Sequence, residues 1–298
     1  MQSQSRRNFL STVVGFGAAA LMASPVKALA AAKPGSKMRF GLVTYLWGQY
    51  WDLPTLIANC EASKVLGVEL RTTHKHGVER ELTAEQRKEV KKRFDNSPVV
   101  HVGIGSNERF DHTDPEALKQ AIQATKDFIK LSHDCGGSGV KVKPNNLHKD
   151  VEAPEVTIER IGKALNEVGA YGLDYGQQIR LEVHGQCQEL PIMKQIMDVA
   201  DHPNVAVCWN SNPPDLEGEG LEHNFNLVKD RLGATAHVRE LNIGDYPYQE
   251  LMNLFVKMDY DGWILLEART DPEDKVAAMI EQRKVFEGMI AKAQQALA

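Results

Sequence analysis

Short runs rich in β-branched residues alternate eight times with longer amphipathic segments from Met38 onward. The runs that predict strands are 39–45, 67–71, 99–103, 139–143, 179–184, 205–209, 235–239 and 263–267. The segments that predict helices are 53–66, 83–95, 114–133, 155–173, 188–200, 221–232, 247–258 and 271–296. Eight strand-helix units in about 260 residues predict a single α/β domain, a (β/α)8 TIM barrel over residues 38–298. A doubly wound open sheet is the alternative, but none of the predicted strands ends in a glycine-rich phosphate loop.

Ionisable and polar side chains recur at alternate positions on several of the predicted strands. The positions are Glu69 and Arg71, His101, Lys141 and Lys143, Arg180, Glu182 and His184, Cys208 and Asn210, His237 and Arg239, and Glu267. Alternate residues of a strand point to one face, and buried charges persist only when paired, hydrogen-bonded or bound to a metal. The alternative is a half-exposed strand with a solvated polar face, and for a single strand of this kind that explanation is sufficient. The repetition predicts a polar pocket at the carboxyl ends of the barrel strands.

Four of these polar residues lie on the last four predicted strands, one strand-helix unit apart: Glu182, Asn210, His237 and Glu267. In a barrel they converge around the axis. Two carboxylates, an amide oxygen and an imidazole suit a divalent ion, with Mn²⁺ expected first and Mg²⁺, Zn²⁺ or Co²⁺ as alternatives. The competing interpretation is a buried ion-pair network without metal. The metal site is preferred because two carboxylates at one barrel level repel each other when no cation lies between them.

On these residues the chain resembles the xylose isomerase-like TIM barrels, the superfamily of sugar phosphate isomerases and epimerases that includes ketose 3-epimerases and inosose dehydratase. The motifs RLEVHG, VCWNSN, AHVRELN and LLEAR carry the resemblance, which implies Glu182, Asn210, His237 and Glu267 as metal ligands. Asn210 departs from the family pattern, where Asp is usual. Pro213 occupies the place of the His in the usual Asp-x-x-His, so the role of that His cannot be carried over.

The resemblance also implies that Glu182 and Glu267 act as the acid and base pair. A divalent ion on a sugar carbonyl and its neighbouring hydroxyl acidifies the hydrogen on the carbon between them. Candidate charge partners for the resulting enediolate are Arg239, Lys141 and Lys143. Return of the proton to the opposite face gives epimerisation, and return to the neighbouring carbon gives isomerisation. This predicts a metal-dependent isomerase or epimerase of a sugar or keto-sugar.

Two other functions stay open at this point. Loss of a β-substituent from the same intermediate makes the protein a lyase, acting for instance on a 3-keto-glycoside. His184, two residues beyond Glu182, is the candidate acid for that leaving group, and a hydrogen-bonded pocket wall is its alternative role. A non-catalytic carbohydrate-binding barrel is the other function, and the intact Glu182 and Glu267 argue against it.

Four further residues are candidate substrate contacts: Arg71, Trp47, Trp209 and Asn212. Arg71 shares its strand face with Glu69, and Trp209 and Asn212 flank Asn210. Trp47 follows the first predicted strand, where an indole stacks on the apolar face of a sugar ring or packs into the core.

The amino-terminal residues predict export. Arg6 and Arg7 precede an uncharged run from Ser11 to Pro25, and small residues follow up to Ala30. This pattern predicts a twin-arginine signal over residues 1–30, cleavage near Ala30, a periplasmic mature protein and no stable membrane anchor, an uncleaved anchor being the alternative. Because phosphorylated sugars are cytoplasmic metabolites, export favours a non-phosphorylated substrate.

Charge and cysteine usage exclude several classes of protein. Removal of residues 1–30 removes three basic residues and no acidic one, which changes the formal net charge from −5 to −8. Such an acidic chain is a poor partner for nucleic acid, so a small sugar is the expected ligand. The 4 cysteines have no CxxC spacing, which predicts reduced, buried thiols. The sequence leaves open whether the chain forms a homo-oligomer.

Overall fold

The computed structural model describes residues 32–297, and its strands form a closed, parallel barrel in sequence order. The strands are β1 (Arg39–Val43), β2 (Gly67–Arg71), β3 (Val100–Arg109), β4 (Gly139–Lys143), β5 (Gln178–Glu182), β6 (Val205–Asn210), β7 (Leu232–Val238) and β8 (Trp263–Leu266). The helices are α1 (Leu53–Ser63), α2 (Ala84–Asp95), α3 (Pro115–Asp134), α4 (Pro154–Asp174), α5 (Leu190–Val199), α6 (Leu221–Val228), α7 (Tyr248–Lys257) and α8 (Lys275–Ala296). The predicted (β/α)8 barrel is confirmed. The predicted signal over residues 1–30 lies outside the described residues.

Local signals in the sequence place the helix starts. Thr83 and Gln86 form a reciprocal capping box at α2, in which Thr83 Oγ1 accepts from the Gln86 backbone N–H and Gln86 Oε1 accepts from that of Thr83. Asp52 and Asp114 cap α1 and α3, each followed by a proline in the first helical turn. These caps satisfy backbone donors that the helix itself leaves unpaired.

The layer between barrel and helices is apolar. The barrel interior combines buried polar residues with a small apolar cluster of Val43, Val102, Trp263 and Leu265. Leu42, Val68, Ile104 and Val140 belong to one large buried cluster that also contains the inward faces of the helices. The 4 cysteines are free and buried, as predicted. Within residues 32–297, the structure contains no helix long and apolar enough to cross a membrane.

Two predicted pocket residues lie elsewhere in the fold. Arg180 is fully buried one layer below the strand ends, where it donates to the Val102 carbonyl oxygen and to Ser138 Oγ. The His101 ring stacks on Phe94 of α2, with ring centroids 5.2 Å apart, rather than facing the pocket. The register shift between Val68 and Glu69 breaks the simple alternation that placed His101 in the pocket.

Candidate active site

Three ionisable side chains, two glutamates and one histidine, meet at the carboxyl ends of the strands. Glu182 ends β5, His237 lies one residue before the end of β7, and Glu267 directly follows β8. All three are buried, and one potential ligand atom from each lies within 4.8 Å of the others. The structure therefore brings together three of the four predicted metal ligands.

Asn210, the fourth predicted ligand, ends β6 beside this cluster. Its side-chain nitrogen donates a hydrogen bond of 2.8 Å to Glu182 Oε1. Its Oδ1 is buried and accepts no hydrogen bond from the described residues. An unpartnered buried oxygen costs free energy, and a cation held by the neighbouring carboxylates gives that oxygen a partner. The donor set of two carboxylates, an imidazole and an amide oxygen thus fits a divalent ion.

A buried lysine is paired with one of the candidate ligands. Lys141 Nζ lies 2.7 Å from Glu182 Oε2, and both side chains are almost fully buried. Burial favours the neutral acid, but Lys141 and His237 outweigh this effect and hold the pKa of Glu182 well below its usual range. Glu182 is therefore a carboxylate at neutral pH, and Lys141 is not a free cation of the pocket.

Glu69 is a site residue that the sequence analysis did not assign. It is fully buried on β2, and its Oε1 lies 3.2 Å from Nε2 of His237. The other ring nitrogen, Nδ1, lies 3.8 Å from Glu182 Oε1. A carboxylate behind a ligating histidine fixes the ring orientation and raises its basicity. The alternation of Glu69 with Val68 and Leu70 was the available signal, but nothing in it revealed the depth of Glu69 in the barrel.

Two connected cavities open above the cluster. The wide cavity has a volume of about 510 Å³ and contains Asn210, Asn212, His184 and Arg239 in its wall. The charged cavity is smaller, about 60 Å³. Its wall consists of Tyr45, Arg71, Lys141, Lys143, Glu182, His184, Glu267 and Arg269. His184 and Arg269 belong to both cavities, so Glu182 and Glu267 in the charged cavity and Asn210 in the wide cavity line adjoining polar space. His237 is fully buried beside them.

Most predicted substrate contacts lie in the walls of these cavities. Arg71 and Lys143 face the charged cavity, and Arg239 and Asn212 face the wide one. Asn212 is fixed by hydrogen bonds of 3.0 and 2.9 Å from its side-chain nitrogen to the carbonyl oxygens of Val183 and Asn210. Sequence reasoning missed Tyr45, whose ring lies 4.7 Å from the Arg71 guanidinium carbon.

The two tryptophans predicted as substrate contacts, Trp209 and Trp47, do not line these cavities. Trp209 is 0% exposed and packs against Phe225 of α6 with ring centroids 5.5 Å apart. Because Trp209 and Asn210 are consecutive on a strand, an inward Asn210 requires Trp209 to face the helices. Trp47 is buried, and its indole N–H donates to the Thr270 carbonyl oxygen at 2.9 Å. It therefore ties together the loops that follow β1 and β8, which corresponds to the core-packing alternative.

Two further groups have shifted pKa values. Burial, and after it the neighbouring Lys141, lower the pKa of Lys143 to about 8. Burial also lowers the pKa of His184. Of its charged neighbours, Glu182 raises this pKa and Lys143 lowers it. The His184 Nδ1–H donates to Asn145 Oδ1 at 3.1 Å, which leaves Nε2 as a proton acceptor.

Known structures share this architecture. L-ribulose 3-epimerase matches with a TM-score of 0.74 and 15% identity, over 87% of this chain and 97% of that chain. D-allulose 3-epimerase from Methylomonas sp. matches with a TM-score of 0.69 and 15% identity, over 87% and 100% of the two chains. The apo form of 3-keto-D-glucoside 4-epimerase from E. coli matches with a TM-score of 0.69 and 13% identity, over 84% and 99%. At these identities the likeness shows the fold alone.

Sequence comparison places the chain in a family. No curated protein matches it. The family model described as xylose isomerase-like TIM barrel matches residues 57–287, a segment that contains all four candidate ligands. The chain therefore belongs to the xylose isomerase-like TIM barrel family.

Proposed function

We propose that this protein is a divalent-metal-dependent epimerase or isomerase of a non-phosphorylated keto-sugar. The observation that carries the proposal is the convergence of Glu182, His237 and Glu267 within 4.8 Å, beside the unpartnered amide oxygen of Asn210. A divalent ion bound there supplies Lewis-acid polarisation of a sugar carbonyl. Mn²⁺ is the ion we expect, because mixed carboxylate, amide and imidazole ligands suit it.

The two glutamates have different surroundings, which divides their roles. Glu182 is hydrogen-bonded on both oxygens, by Lys141 and by Asn210. Glu267 faces the charged cavity, and its nearest cation is Arg269 at 3.8 Å. Glu267 therefore has free lone pairs with which to accept the proton from the sugar carbon, and Glu182 remains ionised.

The structural relatives support a keto-sugar as the substrate. Two of them are named for ketose 3-epimerisation and one for 4-epimerisation of a 3-keto-D-glucoside. All three activities move a proton on a carbon near a carbonyl group. The same proton transfer is what a base beside a metal-bound carbonyl provides.

The lyase alternative depends on His184 as an acid. His184 lies in the wall of both cavities, so it can reach a leaving group. Its lowered pKa and the Nδ1 contact with Asn145 make Nε2 a proton acceptor at neutral pH. His184 must therefore take up a proton before it can protonate a leaving group, so epimerisation or isomerisation, which needs no leaving-group acid, is the better-supported reaction.

Export remains part of the proposal, based on Arg6 and Arg7. We expect a periplasmic mature form in wild type, and retention of the precursor in the cytoplasm when Arg6→Lys and Arg7→Lys are combined. Fractionation of cells that express the full chain measures this. Unchanged export of the double variant contradicts the twin-arginine prediction.

The reaction is tested by hydrogen exchange. Metal-loaded protein is incubated in D₂O with ketoses and 3-keto-glycosides, and NMR locates the deuterium. Epimerisation places it on the carbon that changes configuration, isomerisation on the neighbouring carbon, and elimination removes a substituent. We expect exchange that a chelator abolishes and added Mn²⁺ restores. Exchange that survives complete removal of metal contradicts the proposal.

A further inference from the structure

The charged cavity contains more cations than carboxylates. Its wall has four basic side chains, Arg71, Lys141, Lys143 and Arg269, and two acidic ones, Glu182 and Glu267. The cavity is therefore electropositive before any divalent ion is bound, and an ion makes it more so.

Pairing within the wall leaves two of these cations uncompensated. Lys141 lies 2.7 Å from Glu182, and Arg269 lies 3.8 Å from Glu267. Within residues 32–297, neither Arg71 nor Lys143 has a carboxylate oxygen within 4.0 Å of its nitrogens.

The contacts of Arg71 are with neutral groups. Its Nη2 donates to Asn107 Oδ1 at 3.2 Å, and its guanidinium carbon lies 4.7 Å from the Tyr45 ring centroid. These contacts hold the guanidinium in place without neutralising it. Glu240 fixes the neighbouring loop, because its Oε1 accepts from the backbone N–H groups of Arg269 and Thr270 at 3.0 and 2.7 Å. Arg71 is therefore held in place without an anionic partner, and Lys143 also lacks one.

We propose that the substrate carries a carboxylate, so that it is the keto form of a sugar acid, and that Arg71 and Lys143 bind this carboxylate. The inference rests on the proposed function, because the same cavity holds Glu182 and Glu267. An oxyanion is the shared chemistry that the two cations select. A carboxylate fits better than a phosphate because the cavity has a volume of only about 60 Å³ and a carboxylate is the smaller group.

Like-charge repulsion in the cavity supports this assignment. Burial and the nearby Lys141 lower the pKa of Lys143. Lys143 therefore lies in a field that a bound anion relieves.

The test compares three ketoses that differ only at carbon 6: D-fructuronate, D-fructose and D-fructose 6-phosphate. Calorimetry measures the binding of each to the full chain at pH 7, both with and without Mg²⁺. We expect D-fructuronate to bind at least about 10-fold tighter than D-fructose, with an affinity that falls as salt rises. Equal binding of the acid and the neutral sugar overturns the proposal. Tighter binding of the phosphate than of the acid overturns the assignment of a carboxylate.

Variants test the contribution of each of the two cations to carboxylate binding. Lys143→Gln and Arg71→Gln should each weaken D-fructuronate binding about 10-fold or more, and each should weaken D-fructose binding by a clearly smaller factor. Arg71→Lys keeps the charge and should recover part of the affinity even if Arg71→Gln unfolds. The matched controls are Lys75→Gln and Lys149→Gln, because both lysines are exposed in loops at the same end of the barrel. Loss of binding in these controls equal to that in Lys143→Gln contradicts the assignment.

Deuterium exchange distinguishes failure of this inference from failure of the proposed function. If D-fructuronate binds as expected but no sugar exchanges hydrogen in metal-loaded protein, the reaction is wrong and the carboxylate site stands. If neutral ketoses exchange hydrogen at full rate and D-fructuronate does not bind, the carboxylate site is wrong and the reaction stands.

Discussion

At the scale of single residues, Asn210 is the position where this site departs from the family pattern. Its amide nitrogen donates to Glu182 and its oxygen has no described partner. We predict that Asn210→Asp tightens Mn²⁺ binding about 10-fold or more, because the new carboxylate adds a charge to the ligand set. Without metal the variant should be less stable, because two carboxylates then face each other. Calorimetric titration measures the Mn²⁺ affinity and denaturant unfolding measures the stability, each against Asn253→Asp, an exposed control. Weaker Mn²⁺ binding removes Asn210 from the ligand set.

Glu182 and Glu267 should respond differently to replacement by Gln. Both variants should lose hydrogen exchange by about 10²–10⁴-fold or more, because each loses a ligand charge. Glu182→Gln also leaves the buried Lys141 without its counter-ion, which should cost about 3–5 kcal/mol of unfolding free energy. Glu267→Gln should keep wild-type stability, because its cation partner Arg269 is 48% exposed. Denaturant unfolding and exchange rates measure the two properties. Full exchange activity in either variant contradicts the site assignment.

At the scale of secondary structure elements, β3 shapes the site through a glycine. A Cβ atom at Gly105 comes within 2.8 Å of Glu69 Oε1, so the glycine makes room for the carboxylate that contacts His237. We predict that Gly105→Ala displaces Glu69, weakens metal binding several-fold and leaves the barrel folded. Gly288→Ala is the control, because its Cβ meets nothing within 4 Å and it should gain about 0.5–1 kcal/mol of helix stability. Unchanged Mn²⁺ affinity in Gly105→Ala contradicts this role of Glu69.

The elements themselves were predictable to different degrees. Every strand and helix was assigned from periodicity, and the capping box at Thr83 set the start of α2 correctly. The prediction ended the third strand at Gly103, whereas β3 continues through Gly103 and Gly105 to Arg109. In the structure these glycines lie within the strand, where neighbouring groups leave no room for a Cβ atom.

At the scale of the whole molecule, barrel geometry decides which polar residues meet. Alternation along the strands was enough to bring Glu182, His237 and Glu267 together, since equivalent positions on successive strands end at one face. It did not place Arg180 a layer lower or Glu69 behind His237. Those depths depend on strand stagger and on the register shift at Val68 and Glu69, which local sequence does not encode. Trp209 was predicted to contact the substrate, although an inward Asn210 requires the neighbouring Trp209 to face the helices.

The pH dependence of the free energy of unfolding is a property of the whole molecule. One buried acid should make a large contribution to it. Asp215 is fully buried, and burial raises its pKa to about 7 despite hydrogen bonds from Tyr246 and the Asn212 backbone. Between the unfolded pKa of about 3.9 and the folded value, the folded state binds more protons than the unfolded state. The contribution of Asp215 to stability therefore falls as pH rises across that interval and is constant above it.

We predict that Asp215→Asn removes this dependence. The amide resembles the protonated acid, so the variant and the wild type should have similar stability near pH 4. Above pH 7 the wild type must keep a buried carboxylate, and the variant should then be more stable by a few kcal/mol. Denaturant unfolding of metal-free protein at several pH values gives the difference, with the exposed Asp245→Asn as control. Burial lowers the pKa values of His76 and His101 to about 4, so these two residues make stability rise with pH. Their contribution is the same in variant and wild type and cancels in the difference. A difference that stays constant from pH 4 to 8 contradicts the raised pKa of Asp215.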